Sequence, residues 1–287
     1  MALTGELSVA FVSQVPQLHD AAVAFLTQHE KTACSLFERF VLNDKNLYVV
    51  FRTVQNKFSC IEGIFLFNGK TVLCQFEQDD EDVCSCLSAF FKDAAVTCVA
   101  GQEQSVLLVT RALKKTLSGT PDETRSFMLM ECTEPFAVKK NATVRTATEA
   151  DSDTVLCMHL AFLKEEVAPA WFKDKIEDRE SLERRSVIRN ISKNMYRLVE
   201  TDGSIVCAAC IDAQTPSYLR ISRVYTFPRS RNCGYATLLA NHIAGEAKQQ
   251  HKTAVLYVDR NNTAACTAYK KAGFTPFSAY CICYYKR

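Results

Sequence analysis

Arg229, Arg231 and Gly234 fall in one short basic turn, and together these residue types suit the binding of phosphate. The turn lies within residues 221–236, Ile-Ser-Arg-Val-Tyr-Thr-Phe-Pro-Arg-Ser-Arg-Asn-Cys-Gly-Tyr-Ala. Two elements must hold it. Residues 218–227 are rich in β-branched and aromatic side chains and read as a strand that Pro228 ends. From Tyr235 onward, Ala236, Leu239, Ala240, Ile243, Ala244 and Ala247 recur at helical spacing. A strand that delivers a glycine turn to a helix N-terminus aims several unpaired N–H groups, backed by the positive end of the helix dipole, at one point. That arrangement is a phosphate cradle. Gly234 then lets the backbone approach the anion, because a Cβ there would block it; the other reading is a simple turn glycine. Neither the Walker Gly-Lys-Ser/Thr ending nor the dinucleotide Gly-x-Gly-x-x-Gly pattern is present.

What is present, Arg231-x-x-Gly234-x-Ala236, resembles the Arg/Gln-x-x-Gly-x-Gly/Ala signature of the Gcn5-related N-acetyltransferase (GNAT) family, whose loop holds the pyrophosphate of acetyl-CoA. A second segment follows at the distance that family requires. Residues 253–259, Thr-Ala-Val-Leu-Tyr-Val-Asp, suit a buried strand. Then comes Asn262-x-x-Ala265-x-x-x-Tyr269-x-x-x-Gly273-Phe274, similar to the family's second cofactor segment. Two matching segments in order, separated by one helix and one strand, make the resemblance specific over residues 142–287, and closest to two-domain members of bacterial type.

The resemblance implies a set of roles. The pantetheine arm of acetyl-CoA would lie beside Val224, Tyr225 and Thr226. The loop and helix start, Arg231, Asn232, Cys233, Gly234, Tyr235, Ala236 and Thr237, would take the pyrophosphate, with Arg229 beside them. Asn262 and Ala265 would meet the cofactor arm, although Asn262 also suits a helix N-cap. Tyr269 would also line the cofactor and protonate the departing thiolate, or else be a packed aromatic. Glu165 and Glu166, after an apolar helix end, lie where the family places its acceptor-facing segment. They are the candidate general bases, and their competing reading is a solvated surface pair. Arg223 and Arg229 are open between phosphate contact and simple exposure.

The chain of 287 residues has room for two domains, and 48% hydrophobic residues supply a core. A charged share of 23% is ordinary for globular proteins, which argues against disorder. No stretch approaches the ~18 apolar residues of a membrane helix, so a cytoplasmic protein with no membrane partner is expected. Fourteen cysteines at irregular spacing read as buried thiols rather than a disulfide framework. Cys207 and Cys210 sit in a strand-like run, where residues three apart point to opposite faces, and with five scattered histidines no metal site is expected. Residues 214–287 carry eleven Lys and Arg against two Asp and Glu, while residues 1–140 carry thirteen against seventeen. The basic surplus coincides with the cradle and suits a polyphosphate ligand. No nucleic-acid module accompanies it.

The expected fold class is α+β (mixed α/β), with the acyl-CoA N-acyltransferase fold of the GNAT family over 142–287. Residues 1–138 read as an α+β domain: a helical opening near Gln17 to Phe40, a meander at Leu47–Val54, Phe58–Phe67 and Thr71–Phe76, then helix, strand, helix, strand. This order is either a degenerate copy of the same fold or a separate capping domain. The acidic run Asp79–Asp82 reads as a helix start. A linker is expected near Glu134 to Asn141, marked by Pro135, Lys139 and Lys140. The expected activity is transfer of an acetyl group from acetyl-CoA to a primary amine of a small molecule, amino acid or peptide, by a monomer or homodimer. A catalytically inert acyl-CoA sensor or scaffold and an O-acyl or aminoacyl-type transferase are the competing classes.

Overall fold

A computed structural model describes residues 5–55, 57–116, 120–136, 138 and 141–286. The first half runs β1 (Glu6–Phe11), α1 (His19–Gln28), α2 (Cys34–Val41), β2 (Leu47–Val54), β3 (Lys57–Phe67), β4 (Thr71–Phe76), α3 (Glu81–Phe90), β5 (Cys98–Gln102), α4 (Glu103–Thr116) and β6 (Glu123–Cys132). The second half runs β7 (Thr143–Thr146), α5 (Ser152–Phe162), α6 (Glu180–Ser192), β8 (Tyr196–Thr201), β9 (Ser204–Gln214), β10 (Tyr218–Thr226), α7 (Tyr235–Gln249), β11 (Thr253–Asp259), α8 (Thr263–Lys271) and β12 (Thr275–Tyr284). The two halves share one order of elements, so the mixed α/β reading holds. Strand β1 precedes the expected helical opening, and that opening is two helices rather than one.

Compactness groups the chain into Met1–Phe127 with Ser278–Arg287, and Met128–Phe277. The unit boundaries fall inside the two closing strands, so that Met128–Cys132 of β6 and Ser278–Tyr284 of β12 are each grouped with the other half. In the first unit, the later part of β12 pairs antiparallel with β5, Cys281 opposite Gly101. In the second, Met128–Cys132 of β6 borders β11. Lys139 and Lys140, which mark the expected linker, lie outside the described residues.

Each unit has an antiparallel meander followed by one parallel pair, β4 with β5 and β10 with β11. A parallel pair needs a crossover, and α3 and α7 supply it. In the second unit, α7 and α8 pack on one sheet face around Leu239, Ile243, Leu256 and Phe274, while α5 and α6 cover the other around Val155, Val187, Leu198 and Tyr225. Cys207 belongs to the first layer and Cys210 to the second, as strand alternation requires. The start of α5 is fixed by a capping box: Thr148 and Asp151 satisfy each other's backbone, and Arg145 clamps the Asp151 carboxylate at 2.8 Å. That guanidinium holds the Asp151 carboxyl well below the usual carboxylate range.

Cys281 and Cys283 share a face in the first unit, with sulfurs 3.9 Å apart. Among the described residues no group of His, Cys, Asp and Glu is arranged to hold a metal, and no helix is long and apolar enough to cross a membrane.

Candidate active site

The strand β10 begins in register with β11, Tyr218 opposite Thr253 through Arg220 opposite Val255. That pairing stops there. On the other edge, the register with β9 shifts between Ser222 and Tyr225, a bulge that leaves Arg223 and Val224 outside regular pairing. Arg223 sits at φ 51°, left-handed backbone that costs a residue with a Cβ roughly 1 kcal/mol. Bulges of this kind re-aim side chains. Here Val224 packs toward the α7/α8 layer, whereas Arg223 points across the opposite face to the Cys210 sulfur at 3.4 Å. Arg223 is therefore directed away from the cradle, which removes the phosphate-contact reading of that residue.

Past Thr226 the chain makes the turn Pro228–Ser230 and reaches Gly234, which stands as N-cap of α7 at φ 76°, ψ 14°. No side chain caps this helix, so its first amides have no partner from that source. The stretch Arg231–Gly234 is exposed. The amide of Arg231 is already used, donating to the Pro228 carbonyl at 3.3 Å. The cradle thus starts at Asn232 rather than at Arg231.

A cleft of about 630 Å³ opens between β10, the start of α7 and the helix α8. Its walls include Val224, Tyr225, Thr226, Arg231, Asn232, Gly234, Tyr235, Ala236 and Thr237, together with Asn262, Ala265, Tyr269, Glu165 and Glu166. Two residues from the sequence reading are not in its walls: Arg229, exposed in the preceding turn, and Cys233, exposed beside Gly234.

Asn262 does two jobs at once. Its side-chain oxygen accepts from the Ala265 amide at 3.0 Å, capping α8, which turns its NH₂ group toward the Glu166 carboxylate at 3.0 and 3.1 Å. Tyr269 is two turns further along the same helix and is buried against the α7/α8 core, its ring 6.1 Å from that of Phe274. Burial pushes the Tyr269 phenol well above its ordinary value, and the nearby Cys207 and Glu166 add to the rise. A phenol so placed keeps its proton at neutral pH.

Glu165 and Glu166 ride on a π-helical turn, Leu163–Val167, that extends α5. Wide turns of this type are frequent at functional sites. Neither carboxylate is idle surface. Glu165 accepts from the Tyr225 hydroxyl at 2.8 Å and from Arg231 Nη2 at 2.7 Å. Arg231 also donates Nε to the Thr226 carbonyl at 3.2 Å and lies 5.4 Å over the Tyr225 ring. Burial and the Glu165 carboxylate together push the Tyr225 phenol up to about 12. One carboxylate therefore sits on the cradle's arginine and the other on the cap of α8.

Both partners of the Arg231–Glu165 pair are two-fifths exposed, so the pair is worth at most about 1 kcal/mol. A phosphate arriving at Arg231 would displace Glu165. Replacement of Glu165 by Gln should accordingly tighten CoA binding by about two- to fivefold, measured by calorimetry. Unchanged or weaker binding would show that Glu165 does not compete for the arginine.

The sequence reading missed the exposed stripe of α8. Thr263, Thr267 and Lys271 also line the cleft, spaced at four-residue intervals on one face of the helix. That spacing was available once Asn262 was taken as the cap, and Lys271 adds a cation to the wall.

The first unit offers an internal contrast. The helix α3 stands in the chain order where α7 does, but Asp80 caps it, accepting from the amides of Asp82 at 2.7 Å and Val83 at 3.2 Å. Asp79 and Glu81 flank it, paired with Arg111 and Lys115, and Arg52 reaches Asp80 at 3.2 Å. The helix start that no side chain caps in the second unit corresponds in chain order to one capped by the protein's own carboxylate in the first.

The profile of the Acetyltransferase (GNAT) family matches residues 160–274, which spans the strand, turn and helices of the cleft. No curated protein matches the sequence. Solved structures do match in fold. An acetyltransferase of the GNAT family from Colwellia psychrerythraea is 13% identical, with a TM-score of 0.60 over 98% of this chain and 100% of that one. A Drosophila protein is 11% identical, with a TM-score of 0.63 over 98% and 99%. A tandem GNAT protein from the clavulanic acid biosynthesis pathway is 12% identical, with a TM-score of 0.55 over 97% and 98%. Residues 160–274 thus match the GNAT acetyltransferase family, and the chain as a whole shares its fold with GNAT proteins of known structure, one of them a tandem member.

Proposed function

We propose that this protein is an acetyl-CoA-dependent N-acetyltransferase in which the second half, residues 142–287, carries both cofactor and catalysis. The single observation that supports this most is the uncapped, exposed helix start at Gly234 opening onto the same cleft as the buried phenol of Tyr269. The pyrophosphate of CoA fits the amides from Asn232 to Ala236, with Arg231 and Lys271 as cations beside it. The pantetheine arm fits the edge of β10 at Val224–Thr226, where the pairing with β11 has ended.

In this reading the acceptor amine attacks the thioester carbonyl carbon, and the carbon–sulfur bond breaks as the new carbon–nitrogen bond is completed. Tyr269 gives its proton to the leaving sulfur. The proton lost by the amine goes to Glu165 or Glu166, each of which already accepts hydrogen bonds from cleft residues and has lone pairs to spare. The first half, residues 1–138, plays no cofactor role, because Asp80 fills the place a phosphate would take.

A catalytically inert acyl-CoA sensor is a second reading, favoured by the fact that both candidate carboxylates are engaged with cleft residues. Two measurements separate the readings. Calorimetry should give one CoA per chain, and transfer of labelled acetyl from acetyl-CoA to a panel of primary amines should give N-acetylated product. Two CoA per chain would overturn the reading of the first half. Absence of binding at millimolar CoA would overturn the cofactor site, and binding without turnover on any amine would leave the sensor.

A further inference from the structure

The sheet face under α5 and α6 carries a guanidinium, that of Arg223, whose carboxylate partner is shared and lies beyond hydrogen-bond distance. Asp212 meets Arg220 Nε at 2.8 Å through one oxygen, and its other oxygen is 3.9 Å from Arg223 Nη1. One carboxylate thus serves two arginines. Glu183, the other acidic group bearing on Arg223, is held at 3.0 Å by His159 Nε2 and at 3.3 Å by Arg179. Besides Asp212, the contact of the Arg223 guanidinium among the described residues is the Cys210 sulfur. Its N–H groups make no hydrogen bond to a carboxylate or carbonyl among the described residues, since Asp212 stands at 3.9 Å. Its side chain is 24% exposed.

Position gives this charge a purpose. Arg223 is adjacent in sequence to Val224, which lines the cofactor cleft, and the bulge sends the two side chains to opposite faces. Beyond Arg220 the strands β10 and β11 are no longer paired. An acceptor entering from the α5/α6 face would meet Arg223 just before its amine reached a thioester held beside Val224. A left-handed residue in mid-strand is maintained at some cost in backbone energy, and the surrounding register shift fixes it.

We infer that Arg223 is a specificity-determining residue that receives a carboxylate of the acceptor, so that the preferred acceptors are amines whose own skeleton bears a carboxylate, as in free amino acids. The inference rests on the acetyl-transfer reading of the neighbouring cleft. A guanidinium presents a planar fork that matches a carboxylate with two parallel hydrogen bonds, which a lysine does not reproduce.

The test uses the full chain and matched pairs of probes: glycine against glycinamide, β-alanine against β-alaninamide, and γ-aminobutyrate against its amide. Acetyl transfer is followed with each, and calorimetric titration into CoA-loaded protein gives binding without depending on turnover. The acids should show KM or Kd values lower than those of their amides by about 10- to 100-fold. In Arg223→Gln that ratio should collapse toward one, and in Arg223→Lys it should be intermediate, while the Kd for CoA stays at the wild-type value in both. A wild-type ratio near one for every pair overturns the proposal, as does a ratio that survives in Arg223→Gln. Should Arg223→Gln fail to fold, the wild-type and Arg223→Lys ratios decide the question by themselves. Failure of CoA to bind overturns the cofactor reading instead, and the acid-to-amide ratio is then read from titrations of the free protein.

Discussion

Tyr269→Phe is expected to lower kcat by about 10²- to 10⁴-fold while leaving the Kd for CoA unchanged. The size follows from what the hydroxyl does when the carbon–sulfur bond breaks: without a proton donor, the sulfur must leave as a full thiolate anion. The change removes one oxygen and keeps the ring that packs against Phe274, so the fold should be retained. The pH profile adds a second readout. Acid catalysis needs the protonated phenol, and burial raises the Tyr269 value above the ordinary one. Its protonated fraction therefore stays complete through neutral pH and falls only at alkaline pH beyond about 10. The wild-type rate should show no loss attributable to this group below that point. Single-turnover rates in both proteins provide the check, and a decrease smaller than about threefold would reduce Tyr269 to a core aromatic.

Gly234 should give the largest effect on binding. Its φ of 76° is poorly tolerated by β-branched residues, so Gly234→Val strains the turn and also places a side chain where the phosphate must approach. Loss of CoA binding by 100-fold or more is expected, on the scale of one or two strained dihedrals plus the displaced amide contacts. Strain and obstruction are separable. Asn adopts left-handed backbone more readily, so Gly234→Asn should keep its melting temperature within about 5 °C of wild type yet still weaken CoA binding by about tenfold or more. Calorimetry and thermal melts of the two variants give the comparison. Wild-type affinity in Gly234→Asn would mean that Gly234 serves the turn alone and that no anion approaches its amide.

The competition between Glu165 and phosphate bears on both results. Because Glu165 is bound to the Tyr225 hydroxyl and to Arg231, a phosphate that took Arg231 in the proposed reading would displace the Glu165 carboxylate, which the turn Leu163–Val167 carries. The carboxylate released there is then within the cleft in which an amine would lose its proton.

What was readable along the chain was local. The strand that ends at Pro228, the glycine before the helix, the capping asparagine at 262 and the four-residue spacing of the helices are each set by residues within one or two turns of one another. Backbone preference and side-chain period act over that range, so Arg231, Gly234, Asn262 and Tyr269 could be named from spacing and a family resemblance. The cysteine pair at 207 and 210 was equally legible, since strand alternation alone separates its faces.

Tertiary structure decided the rest. Glu165 finds Arg231 across 66 residues and Glu166 finds Asn262 across 96, pairings that no local preference specifies. Arg223 is turned from the cradle by a register shift between two strands, which depends on how β9 and β10 close on each other. The same holds for the last strand, which pairs with β5 in the first unit rather than within its own half of the chain. Local sequence therefore determined which groups could meet an anion or a thiolate. Chain closure determined which charges face each other, because electrostatic and ladder partners are chosen by proximity in space, and only the packed sheet brings them within reach.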